Sequence, residues 1–154
     1  MAVHLEQEVK NLLADKETLK ILATTDEKGI AHAVVKGSLH LDEDGNLIYS
    51  ELLESSQTQK NMTLGIWFNR QVAVLLIGKD GRSYQLKGRP IRAIISGPVF
   101  QETYVRVRER LGDVDLASIW IIEPEEVRNQ SYFARKEHEE ASRPYFKHLD
   151  RLAK

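Results

Sequence analysis

The densest run of side chains able to hold a polar ligand is Tyr49–Asn61, YSELLESSQTQKN. Ser56 followed three residues later by Gln59 has capping-box spacing, so the first-turn N–H groups around Gln57 and Thr58 would be unpaired and aimed at whatever sits there. Such a terminus carries partial positive charge. Ser55, Ser56 and Thr58 add hydroxyl donors and Lys60 adds a full charge, a set that suits a phosphate. On local sequence alone the plainer reading, an ordinary cap with a solvated Lys60, takes precedence.

Other chemistry is largely excluded by composition. There is no cysteine, hence no disulfide, no thiolate nucleophile and no Cys-based zinc or iron–sulfur site. His32 and His40 would be about 27 Å apart on one extended strand, too far for one metal, and five histidines alone do not argue for a metal site. Asp113, Asp115, Glu125 and Glu126 lack the spacing of a hydrolytic carboxylate pair, and no nucleophile elbow or Walker-type loop occurs. Lys+Arg 22 against Asp+Glu 23 leaves no net field for nucleic acid or an anionic membrane, and the basic run Arg82, Lys87, Arg89 and Arg92 lacks aromatic stacking platforms. Trp67 and Trp120 read as core or interface anchors. The N-terminus has acidic residues and no secretory apolar run, and no apolar stretch reaches about 18 residues, so the expectation is a soluble cytoplasmic protein.

The elements that must position the Tyr49–Asn61 run read as one domain over 1–154. Leu5, Val9, Leu12 and Leu13 predict an amphipathic helix that ends near Asp15 and lids the core. LKILATTD and IAHAVVKGSLHLD predict a hairpin turned at Gly29. In its second strand, residues 30–42, the odd positions Ala31, Ala33, Val35, Leu39 and Leu41 make a core face and the even ones, His32 to His40, a polar face. LIYSEL is a third strand feeding the helix from about Gln57 to Trp67. QVAVLLIG is apolar on both faces, which predicts that a helix or another subunit covers its second side. SYQLKGRPIRAI is a strand that Pro90 limits to an edge or a bulge. Gly97-Pro98 opens a helix with a stripe of Val99, Thr103, Val107 and Leu111, stopped by Gly112, before the strand ASIWII. Residues from about 132 form a helical C-terminal extension of two surface helices, the second with a stripe of Tyr145, Phe146, Leu149 and Leu152. The predicted class is mainly β with peripheral helices, a barrel of about six antiparallel strands.

The ordered set LATTDEKGIAHAVVKGSLHL, IYS, SQTQKNM, RQVAVLLIG and YQLKGRP resembles the FMN-binding split-barrel family related to pyridoxamine 5′-phosphate oxidase, over roughly residues 5–130. The resemblance implies a split β-barrel, a bound FMN and a homodimer with the flavin at the subunit interface. By position it implies ring contacts from His32, Ala33, Val34, Val35 and Lys36, strand-end contacts from Tyr49 and Ser50, and phosphate contacts from Thr58, Gln59 and Lys60. Lys36 would sit beside the flavin and stabilise its reduced, anionic form, or else be a solvated or ion-paired strand lysine. Gln59 stands where the family has an arginine, which leaves Lys60 as the main charge or passes the role to Lys87 or Arg89. YFKHLDRLAK has no counterpart of the Trp and Arg-Leu-His stretch of the true oxidases, which argues against vitamin B6 oxidation. The expected function is a flavin-dependent oxidoreductase acting on a small molecule. A non-catalytic flavin- or haem-binding carrier or sensor is the alternative, and a cofactor-free dimeric interaction protein is a third reading.

Overall fold

The computed structural model of the protein describes residues 3–143. In chain order it runs α1 Gln7–Ala14, β1 Leu19–Thr25, β2 Ala31–Val35, β3 His40–Leu41, β4 Leu47–Glu51, α2 Gln57–Trp67, β5 Val72–Ile77, β6 Ser83–Ile94, α3 Pro98–Leu111, β7 Ser118–Asn129 and α4 Tyr132–Ser142. The seven strands, one more than expected, form a single antiparallel sheet in the order β2-β1-β5-β6-β7-β4-β3. No helix among the described residues is long and apolar enough to cross a membrane.

A short tether forces this sheet to curl. β2 and β3 are its two edges, yet only Lys36–Leu39 separate them in the chain. Five Cα steps reach at most about 18 Å, whereas the edges of a flat seven-stranded sheet lie about 29 Å apart. The strands must therefore wrap into a barrel that stays split at the β2–β3 seam. Leu22, Val74, Leu76, Leu86, Leu47 and Ile122 fill the inside. The α1 helix packs on β3 and β5 through Val9, Leu12 and Leu13, as its stripe predicted, and α2 packs on β6, β1 and β2 through Met62 and Gly65. Asn61 Nδ2 donates to Thr24 Oγ1 at 3.0 Å, a buried polar tie between α2 and β1.

Several expectations need correction. The strand predicted over residues 30–42 is cut at Gly37-Ser38 into β2 and β3, so His32 and His40 stand on opposite edges of the sheet. Its faces are also reversed over β2. Val34 pairs with Leu22 and His32 with Thr24, both buried positions of β1, so the even residues point inward. Ala31, Ala33 and Val35 point outward, and Val35 is 60% exposed. Partner register across the hairpin decided the face, because Ala-His-Ala-Val-Val has too little polarity contrast to decide it locally.

β6 is a central strand, not an edge. Register shifts flank Lys87/Gly88 and Pro90/Arg92, and pairing with β5 stops at Gly88, so Pro90 sits at a bulge in the half of β6 bonded to β7 alone. Any side chain at Gly88 would collide with the backbone carbonyl of Glu123. Of the α3 stripe only Val107 is buried, while Val99 and Leu111 are exposed, so α3 stands off the sheet. Trp120 is a core residue, whereas Trp67 is 75% exposed at the end of α2. The first predicted C-terminal helix is α4. The second, with Tyr145, Phe146, Leu149 and Leu152, lies outside the described residues.

Candidate functional site

β4 alternates strictly: Leu47, Tyr49 and Glu51 face the core, while Ile48 and Ser50 face out. A glutamate at the third inward position requires a cation, and the β2–β3 tether supplies one. Lys36 Nζ donates to Glu51 Oε2 at 2.6 Å, with side chains 17% and 2% exposed respectively. The same ammonium lies 5.5 Å from the centre of the Tyr49 ring, within cation–π range. Tyr49 is fully buried and its hydroxyl has no hydrogen-bond partner. Burial, assisted by the Glu51 charge, pushes its pKa far above the usual tyrosine value, so it stays neutral.

Beside this pair opens a cleft of about 860 Å³ between the tether, the end of β4 and the far end of α3. Val35, Lys36 and Ser50 line it together with Glu51, Leu53 and Arg110. A hydroxyl, an ammonium, a guanidinium and apolar surface thus surround the cleft, with Asp113 and Asp115 at its α3 end, an arrangement suited to a partly apolar ligand with charged or hydrogen-bonding edges.

The start of α2 is organised differently from its expected capping box. Ser56 Oγ accepts from Gln59 N at 2.9 Å, which is half of the motif. The Gln59 side chain turns to β7 instead, where its Oε1 accepts from Ser118 Oγ at 2.8 Å and Trp120 Nε1 at 2.7 Å. Ser118 is the register partner of Glu51, so Gln59 fastens α2 to the strand beside the Lys36–Glu51 pair. Thr58 is buried, and Lys60 is exposed with no ion pair to a described residue.

No family model and no curated protein matches the chain. Solved structures do. HupZ of Group A Streptococcus aligns at TM-score 0.68 and 23% identity, covering 84% of this chain and 96% of that one. An FMN-binding protein from Syntrophomonas wolfei aligns at 0.62 and 12%, covering 81% and 83%. HutZ, the heme storage protein of Vibrio cholerae, aligns at 0.59 and 15%, covering 82% and 95%. Two structures provisionally called pyridoxamine 5′-phosphate oxidases match as well. The chain has the pyridoxamine 5′-phosphate oxidase-like split-barrel fold.

In this split barrel the residues singled out from sequence fall into three places. Val35, Lys36 and Ser50 meet in the cleft, although Tyr49, next to Ser50, points the other way into the core. His32 and Val34 are half-buried on the inward side of β2, and Ala33 is exposed on its outer side. Thr58, Gln59 and Lys60 open α2 and do not wall the cleft. Of the two alternates, Arg89 is already engaged: its Nε donates to Glu125 Oε1 at 2.7 Å and its Nη1 to the Asn69 carbonyl at 2.6 Å. Lys87 lies on the outer face of β6, beside Glu126 of β7. Sequence reasoning missed Glu51, Ser118 and Arg110. Glu51 was within reach, because it continues the inward series Leu47, Tyr49. Ser118 and Arg110 carry no local signal. Among the described residues no cluster of His, Asp and Glu could hold a metal ion.

Proposed function

We propose that this chain is an FMN-binding flavoprotein that works as an oxidoreductase on a small substrate, in the cytoplasm. The observation that carries this reading is the cleft at the barrel seam, where the tether, β4 and α3 bring Lys36, Ser50 and Arg110 together around about 860 Å³. That volume falls within the ~300–1,000 Å³ of small-molecule sites. The likeness to an FMN-binding protein supports flavin as the ligand. The residues present fit such a group: Val35 and Leu53 offer apolar surface to a planar ring, Ser50 a hydroxyl, and Lys36 and Arg110 the cations for its polar edge and phosphate.

When bound, FMN supplies the hydride or electron transfer. The chain's part is to bind, orient and shield. Lys36, already half offset by Glu51, would favour negative charge at its side of the cleft less strongly than a free lysine. We also propose a homodimer with the flavin at the subunit interface. On the outer face of β2, β1 and β5, Ala33, Ala23 and Ala73 align in one register row and Val35, Ile21 and Leu75 in the next. Among the described helices, α1 and α2 reach these strands from the inward side, through Leu12, Met62 and the Asn61–Thr24 bond, which leaves the outer apolar face for a second copy.

A carrier or sensor that holds flavin or haem without turnover is the second reading, favoured by the likeness to the heme storage protein HutZ. An absorption spectrum of the protein mixed with FMN, repeated for Arg110→Gln and Lys36→Met, tests the binding. The expected result is a yellow protein, with weaker FMN affinity in both variants. A colourless protein with no thermal shift on FMN addition would overturn the flavin reading. Bleaching by a reductant and reoxidation by a defined acceptor separates the enzyme from the carrier, and sedimentation at micromolar concentration tests the dimer.

A further inference from the structure

Because α3 stands off the sheet, a second hollow of about 480 Å³ lies between its inner side and the seam, next to the cleft but reaching down to β1. Lys20 is the unusual residue in its wall. Its side chain extends from an inward position of β1 and only 8% of the residue is exposed. Its ammonium donates to the carbonyl of Leu39 at 2.8 Å, a neutral acceptor. Among the described residues it forms no ion pair. Asp15, the acid whose field it feels, stands within 4.0 Å of Lys79. Burial pushes the Lys20 pKa below the usual lysine value, as expected for a charge short of compensation.

α3 adds two more cations to the same hollow. Arg106 and Arg110, one turn apart, both line it. Neither is paired with a carboxylate among the described residues, in contrast to Arg108, which reaches Asp113 at 3.4 Å and Asp115 at 3.7 Å. Glu102 is the acid that faces these cations from α3, and His40, Ser38 and Ser50 face them from the tether side and β4. The His40 Nδ1 contact with the Ser38 carbonyl at 2.7 Å leaves its Nε2 as the second polar atom of the ring.

A buried ammonium that meets only a carbonyl, opposite two guanidinium groups that outnumber the one facing acid and form no ion pair with a described residue, forms a receptor for doubly charged oxygen ligands, since guanidinium binds such groups bidentately. We propose that this hollow binds a small dianionic group, a phosphate or a dicarboxylate, with Lys20 as its buried cation and Arg106 as its outer one. The hollow adjoins the flavin cleft, with Gly37, Ser38, Ser50, Val107 and Arg110 bordering both, whereas Lys20 and Arg106 line the hollow and not the cleft.

Isothermal titration of the full chain with inorganic phosphate and, separately, with malonate tests this, against sodium chloride at matched ionic strength. Saturable binding of one anion per chain is expected, weakened about ten-fold or more in Lys20→Met and in Arg106→Gln. Preference for phosphate or malonate identifies the ligand class. Arg106→Gln changes an exposed helix position, so it reads the site even if Lys20→Met does not fold. Titration of protein already saturated with FMN distinguishes this hollow from the flavin cleft, and unchanged FMN affinity in both variants is expected. No saturable binding by the folded wild type, binding unaffected by either substitution, or loss of binding when FMN is added would each overturn the proposal.

Discussion

The two ends of the Lys36–Glu51 pair see different amounts of water, and their removal should therefore have unequal costs. The contact is 2.6 Å, with Lys36 17% exposed at the rim of the barrel and Glu51 2% exposed beneath it. At an effective dielectric near 20 the gross attraction is about 6 kcal/mol, most of which offsets the desolvation of the carboxylate. Lys36→Met leaves that carboxylate buried without a cation and should destabilise the fold by about 3–5 kcal/mol. Glu51→Gln leaves an ammonium that can turn to water and still finds an amide oxygen, so about 1–2 kcal/mol is expected. The double variant removes both charges and should be more stable than Lys36→Met alone by about 2 kcal/mol. Urea unfolding of the four proteins, followed by circular dichroism, measures the cycle. Equal losses for the two single variants, or strictly additive ones, would refute the idea that differential burial governs the pair.

Gln59→Ala should cost about 2 kcal/mol by leaving Ser118 Oγ and Trp120 Nε1 without an acceptor, whereas Gln59→Glu keeps the acceptor; denaturation and the emission of the buried Trp120 report both. Gly88→Ala should lose about 3 kcal/mol, because the new methyl meets the Glu123 backbone rather than a side chain that can move aside; a shift of the thermal midpoint checks it. Burial, followed by its bond to Glu8, holds the Tyr84 pKa up at about 12 from 10. The folded state thus keeps a proton that the unfolded chain loses. The stability linked to Tyr84 is complete below pH 10 and is lost as pH rises to about 12, and Tyr84→Phe should abolish that decline in melts across this window.

What could be read from sequence was whatever local spacing records. The α1 stripe, the doubly apolar β5 and the turn at Gly29, with φ of +80°, are each written within a few residues. Gly37-Ser38 is a turn signal in the sequence, but the apparent alternation that runs through it is the stronger local pattern. The face of β2 was hidden because it depends on Leu22 and Thr24 across the hairpin. The site was hidden further. Gln59 meets partners 59 and 61 residues away, and Lys36 meets Glu51 across a turn and another strand, pairings that no motif at one position can announce. Spacing marked the stretches, while the tertiary fold set which of their side chains meet.

The Lys36–Leu39 tether acts as a gauge. Its four residues set the circumference of the barrel, since the seam can gape no wider than the tether extends. Both hollows beside α3 take part of their wall from it, so their size is fixed by chain length there as much as by packing. Lengthening this segment would uncouple the two sheet edges and enlarge both hollows together while leaving their other walls in place, so insertions here would tune capacity rather than chemistry.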